Sequence, residues 1–314
     1  MAGAHLTIAA RRIKKDKQAL AAFFVICLFA LVALLDVVPA PRHDPASGGL
    51  KWTGRTALDA LFRKDVERSY SPPLATTGVL NRHEFALKSR HLLGTNNLGE
   101  DVFYNALKGV RTAFIIGIVP SVIAAFFAIF LGLFAGFYGG VIDDAIQYVY
   151  QVLASIPGIL LLIAMLMVLD RGLWQLCVVL GVTSWVGLCR LIRGETLKVK
   201  GMEYIEAARA LGARDGRLLF RHILPNVTHL IIIEMTLDFS ALVMAEAVLT
   251  YIGVGVEPGT GSWGRMIMMA DRELPNGIWW NLTAASAFLF LLVLAFNLFA
   301  DALRDALDPR LRMG

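Results

Sequence analysis

A chain of 314 residues with a mean hydropathy of +0.62, 57% apolar and 18% charged, is too apolar for a soluble domain, where about half and a quarter are usual. Its formal charge of +5 fits the positive-inside tendency of membrane proteins better than a nucleic-acid partner, and none is expected. Cys27, Cys177 and Cys189 all fall in apolar runs, so they read as buried thiols rather than a disulfide framework or a zinc site.

The N-terminal segment, residues 1–18, is basic from Arg11 to Lys17. The apolar run at 19–38 is long for a signal peptide, and no small-x-small site ends it. It reads as a retained first span with its basic end in the cytoplasm. Residues 39–105 are polar and rich in Pro, Gly and charge near their start. A helix is expected over Thr56–Arg68. The segment has too few apolar residues to hold a core alone, so it is expected to lie on the membrane or on a partner. Residues 91–102 read as a Gly- and Asn-rich turn. An interfacial helix follows, with Val102, Phe103, Ala106, Leu107 and Val110 on its apolar side.

Residues 106–314 carry five more apolar runs. Span 2 is Thr112–Gly136, with Pro120 inside. Span 3 starts near Asp143-Asp144, acids at the positive end of a helix, and runs through Pro157 to Leu169. Span 4 is Leu173–Leu191. Span 5 is Val227–Ile252 and span 6 is Asn281–Ala300. Trp263, Trp279 and Trp280 fall near membrane edges, where Trp is common.

Between spans 4 and 5 lies an island of charge, residues 195–226. It reads as two short helices. Ile205, Ala208 and Leu211 share one face, as do Leu219 and Ile223. Gly212 can end the first helix in a left-handed conformation. Asp215 is the expected N-cap of the second, and Pro225 its stop. Ala207 and Ala208 beside Glu206 would let another protein approach closely. From Arg190 to Asn226 eight basic residues face four acids, which places this loop in the cytoplasm. Six spans then put both termini inside and residues 39–105 outside.

Glu206-Ala207-Ala208, with Gly212 and Ile223-Leu224-Pro225 after it, resembles the EAA loop of ABC importer permeases. His91-Leu92-Leu93-Gly94-Thr95 through Leu98-Gly99-Glu100-Asp101-Val102 is similar to a segment of the C-type permeases of dipeptide and oligopeptide importers. Leu92 stands where that pattern has Pro, and Glu100 where it has Arg. Glu246-Ala247 through Gly253-Val254-Gly255, with Ser262-Trp263-Gly264, resembles a third segment, Gly259 replacing a Pro. The resemblance runs from about Leu92 to the C-terminus.

It implies an all-α integral membrane protein with six transmembrane helices in the ABC importer permease (MetI-like) fold, residues 106–314 being the permease core. It implies a bacterial inner-membrane subunit that forms half of a peptide pathway. Its expected partners are a second, homologous permease subunit, two ATP-binding subunits, an extracytoplasmic substrate-binding protein and membrane lipid. Glu206, Ala207, Ala208, Gly212, Leu224 and Pro225 are the expected ATPase-coupling residues.

No phosphate loop, HExxH or GxSxG pattern is present, and the six histidines form no ligand spacing. No catalytic residue, metal site or cofactor is therefore expected in this chain. An ion-coupled carrier or channel working alone is the alternative, and a membrane-embedded enzyme a third. Glu234 and Asp238 lie four apart on span 5, with Glu246 on the same broad side. Two readings stay open for these acids. They line the pathway, or they are structural, being paired, protonated or shallow.

Overall fold

The structure, a computed structural model, describes residues 16–43, 50–67, 70–80 and 83–307. The basic run Arg11–Lys15, His5, and Arg310 and Arg312 of the tail lie outside the described residues. The chain divides into two compact units. One contains residues 1–23, 116–242 and 295–314, and the other residues 24–115 and 243–294.

Helix α1 (Lys17–Leu35) is followed by an antiparallel hairpin of β1 (Pro39–His43) and β2 (Leu50–Thr56), in which Pro41 pairs with Trp52. The short α2 (Ala57–Phe62) begins at a capping box. Thr56 accepts from the Asp59 amide, and Asp59 accepts from the Thr56 amide. It is shorter than the Thr56–Arg68 helix expected, because Arg63 is already extended. A second hairpin pairs β3 (Thr77–Leu80) with β4 (His83–Ala86).

Helix α3 (Val102–Tyr138) runs 37 residues without a break. The interfacial helix and span 2 are therefore one element. Lys108 and Arg111 interrupt the apolar pattern there, and charges alone do not end a helix. Pro120 is accommodated within it. α4 (Gly140–Ser155) and α5 (Gly158–Val168) meet at 90°, so the expected third span is broken. Pro157 causes this by driving Ile156 into an extended conformation.

Next come α6 (Leu173–Lys200), α7 (Glu203–Ala210) and a single turn, α8 (Asp215–Arg217). A π-helical stretch, Leu218–Ile223, feeds directly into α9 (Leu224–Tyr251). Two expectations change here. Arg214, not Asp215, is the N-cap. Pro225 does not stop the helix, because the π spacing shifts the hydrogen-bond register just where proline has no N–H to give. α10 (Trp263–Glu273) and α11 (Trp280–Leu307) complete the described chain.

Among the described residues α1, α3, α6 and α11 are long and apolar enough to cross a membrane, and α4 with α5 makes a fifth if the bent pair is one span. α9 is 28 residues long but carries Glu234, Asp238 and Glu246, and it is not among them.

In the second unit Trp263 and Trp280 are enclosed within the chain. Trp263 Nε1 donates to the Ala106 carbonyl at 2.9 Å, and Trp280 Nε1 to the Thr95 carbonyl at 2.9 Å. Burying an indole requires such a partner. Trp279 stays exposed. Cys177 and Cys189 are buried as expected, but Cys27 is exposed on an outward face of α1.

The core of the first unit is set by α3 against α6. A Cβ at Gly132 would lie 2.8 Å from the Cys189 carbonyl and 2.9 Å from Ile192, and one at Gly136 would lie 2.7 Å from Thr196. These two glycines, four apart on one face, allow close backbone approach, the small-xxx-small device of membrane helices. Gly136→Val is expected to cost about 1–3 kcal/mol by overpacking. A lower melting temperature of the purified protein in detergent would show it, and an unchanged one would contradict this account of the contact.

Candidate functional site

Helix α7 is amphipathic. Ile205 is 1% exposed and packs in one cluster with Leu218, Leu219 and Ile223, all buried. The shared face of Leu219 and Ile223 is therefore the inner one. Glu203, Glu206, Ala207, Arg209 and Ala210 are exposed, and Ala208 is half-buried against the cluster.

The helix ends in a Schellman turn. The Ala213 amide donates to the Ala208 carbonyl at 3.1 Å, and the Gly212 amide to the Arg209 carbonyl at 2.9 Å. Gly212 has φ +83°, the left-handed conformation expected for it. The turn corrects one expectation. Leu211 does not share the inner face with Ile205, because the chain leaves the helix at Ala210 and presents Leu211 with 89% of its surface exposed.

Glu206, Ala207 and Gly212 thus lie on one exposed tip. Leu224 is half-buried against the cluster and supports the tip from within, while Pro225 is exposed. Asn226 donates to the Tyr204 hydroxyl at 2.9 Å, tying α7 to the first turn of α9. Nearby, Arg193 of α6 grips Asp143 of α4 through two hydrogen bonds of 2.5 and 2.6 Å. A short amphipathic helix of this kind, firmly seated and capped, offers a rigid surface.

A family model described as "Binding-protein-dependent transport system inner membrane component" matches residues 128–313. The chain is 32% identical over 305 residues to the dipeptide transport system permease protein DppC of Bacillus subtilis, covering 96% of this chain and 85% of that one. It is 35% identical to the oligopeptide transport system permease protein OppC of the same organism, covering 76% and 77%. To the glutathione transport system permease protein GsiD of Salmonella typhimurium it is 41% identical, covering 71% and 73%. The chain belongs to this family of binding-protein-dependent inner-membrane transport components. It is a permease subunit of an ABC importer and a multi-pass membrane protein. A solved structure titled for inward-facing conformations of the MetNI methionine ABC transporter superposes with a TM-score of 0.54 at 20% identity, covering 65% of this chain and 97% of that one. That likeness shows the fold.

The other two recognised segments of the permease lie in the second unit. His91 is buried, with Nδ1 2.8 Å from Asp101 Oδ2 and Nε2 3.2 Å from the Ser89 hydroxyl. Glu67 accepts from the amides of Lys88 and Ser89. Glu100, where the related pattern has Arg, is held by the amides of Asn96 at 2.9 Å and Asn105 at 3.1 Å. The charge reversal is met by neutral donors. Reading the histidines as isolated missed the His91 pairing, because its partner carboxylate is fixed by a turn and not by helical spacing.

Glu246, in the third segment, is 2% exposed and accepts from Thr250 at 2.8 Å and Ser262 at 2.6 Å. It fastens the end of α9 to the start of α10. Glu234 and Asp238 differ. Both are half-buried on one face of α9, and neither has a basic partner among the described residues. The structure thus brings Glu234 and Asp238 together and gives Glu246 other partners. Among the described residues no cluster of potential metal ligands occurs.

A further ionic cluster was not legible in the sequence. Lys108 of α3 bonds Asp36, at the end of α1, and Asp59 of α2, the latter at 2.6 Å. Tyr104 donates to Asp59 at 2.6 Å, and Thr56 to Asp36 at 3.0 Å. Desolvation pushes the Asp59 carboxyl up. Hydrogen bonds from Lys108, Tyr104 and the Thr56 amide, with the Lys108 charge, outweigh it and hold the group well below the usual carboxylate range. A depressed acid contributes stability above its ordinary range and loses it as pH falls through the folded value. Asp59→Asn is expected to cost about 2 kcal/mol at pH 7. Its melting deficit against the unaltered protein should shrink below about pH 4, where free aspartate titrates. A deficit independent of pH would contradict the ionic account.

Proposed function

We propose that this chain forms half of the translocation pathway of a peptide importer and couples to an ATP-binding subunit through the tip of α7. The observation that carries the reading is that tip. Glu206, Ala207, Ala210 and Leu211 stand exposed at the end of a helix whose inner face is fully packed. An 89% exposed leucine beside two small side chains suits a groove on another protein better than water.

ATP binding and hydrolysis fall to two partner subunits, and this chain is non-catalytic. A second, homologous permease supplies the other half of the pathway, and an extracytoplasmic binding protein delivers the substrate. The dipeptide, oligopeptide and glutathione relatives support a small peptide as cargo. The excess of basic residues over 190–226 supports a cytoplasmic position for α7 and for both termini, with residues 39–105 outside and α9 as one of six spans.

The test is co-purification of the ATP-binding subunits with the permease. Leu211→Asp removes the apolar contact and adds charge. Gly212→Val places a β-branched residue where the backbone is left-handed, at a cost of about 1–2 kcal/mol. Each is expected to lower the recovery of ATP-binding subunits about tenfold, with the permease still in the membrane. Undiminished recovery in both variants would sink the docking role of α7.

Glu234 and Asp238 supply the second part of the reading. Half-buried acids without a basic partner among the described residues are costly inside a membrane unless they face water or a cationic substrate. We assign them to the inner half of the pathway, where they meet a peptide N-terminus or a basic side chain. Glu234→Gln with Asp238→Asn should lower uptake of a lysine-containing dipeptide about fivefold relative to dialanine. Equal effects on both peptides, in an assembled complex, would rule this out.

A further inference from the structure

Phe137 sits one residue before the end of α3. It is 3% exposed and belongs to the same buried cluster as Val199 of α6 and Ile205 of α7. Its carbonyl is one of the last four of the helix, which lack intrahelical donors. Lys200, the last residue of α6, fills that role by donating to it at 2.5 Å. The Lys200 ammonium lies 5.6 Å from the centroid of the Phe137 ring, and the Arg209 guanidinium of α7 lies over the same ring, also at 5.6 Å. Both distances are within cation–π range. One aromatic residue thus receives a cation from the end of α6 and a cation from the end of α7, while its own backbone ends α3.

A helix that docks on a motor subunit does nothing for transport unless its displacement reaches the spans. Coupling of this kind needs a contiguous set of contacts among rigid elements. α7 is rigid, being capped at Gly212 and seated by Ile205. Arg209 projects from its last turn, next to the exposed tip, and reaches a ring where the ends of two long helices also meet.

We propose that Phe137 is the positioning residue through which α7 moves α3 and α6, with Arg209 and Lys200 as its two grips. The proposal rests on the reading of α7 as the docking helix. It adds a transmitting contact on the membrane side of that helix. Displacing α7 pulls Arg209 across the ring, and the ring and carbonyl carry the displacement into α3 and, through Lys200, into α6.

The test uses the complete importer in proteoliposomes, with its ATP-binding subunits and binding protein, and a mixed pool of labelled dipeptides as probe. Three quantities are read: recovery of ATP-binding subunits, basal ATP hydrolysis, and peptide taken up per ATP hydrolysed. Phe137→Leu keeps bulk but removes the π face. Arg209→Gln keeps length but removes charge. Each is expected to leave recovery and basal hydrolysis near the unaltered level and to lower uptake per ATP about threefold to tenfold. The double variant should be no worse than the worse single, because both act through one contact. Phe137→Tyr and Arg209→Lys should keep most of the ratio.

An unchanged ratio in Phe137→Leu would overturn the proposal. So would additive losses in the double variant, or a loss in Arg209→Gln that comes with lost ATP-binding subunits. If Phe137→Leu does not assemble, Arg209→Gln decides alone, and an unchanged ratio overturns the proposal. Failure of the docking reading is a different result: Leu211→Asp would then leave subunit recovery intact.

Discussion

The close approach of α3 and α6 at Gly132 and Gly136 is the contact on which the first unit depends. Between membrane helices there is little hydrophobic gain, so affinity comes from packing and from polar contacts. With no side chains at these two positions, the α3 backbone can lie against the carbonyls of Cys189 and Arg193. Everything at the lower ends of the two helices then falls into reach. Lys200 can meet the Phe137 carbonyl, and Arg209 can meet its ring. Ile205 finds Leu218, Leu219 and Ile223 already gathered. The orientation of α7 is thus fixed from below by apolar packing and from the side by cations on an aromatic ring.

Charge performs a different task in the second unit. Residues 39–101 have too little apolar area to fold as an independent domain. Their α2 is tied down instead by Lys108, which stands on α3 and reaches both Asp36 and Asp59. Each buried acid here has several donors, which is the condition for burying a carboxylate without a large penalty. The His91–Asp101 pair does the same for the turn that leads into α3. A segment whose composition resembles a loop can therefore be held firmly at a few ionic points.

How far these features were legible depended on the distance between the partners in sequence. Spans 1, 2, 4 and 6 were readable, because a long apolar run allows few alternatives. The α7 turn was readable, because helical spacing and a glycine fall within ten residues. The continuity of α3 was not, since nothing local shows whether a helix stops at Arg111 or passes it. The break at Pro157 was in view, but its 90° angle depends on where α5 packs. The first hairpin was missed because its strands carry Pro and charge, which lowers strand propensity, and the second because its strands are only four residues each. The ionic contacts were out of reach entirely. Lys108 and Asp36 are 72 residues apart, and Arg193 and Asp143 are 50 apart.

The three acids of α9 show why a motif and a helical face give different kinds of information. Glu246 lies in a recognisable segment, and its surroundings explain it fully. Two hydroxyl donors, Thr250 and Ser262, hold it in a closed site where the chain leaves α9. Glu234 and Asp238 lie in no recognisable segment, and only their spacing drew attention to them. They are also the pair that the fold leaves half open and without a basic partner among the described residues. An acid that the fold satisfies has structural work. An acid that the fold leaves unsatisfied within an apolar helix keeps its full electrostatic demand. Such a demand is met by water, by a proton or by a cation from outside the described residues, and this is what separates the two groups on one helix.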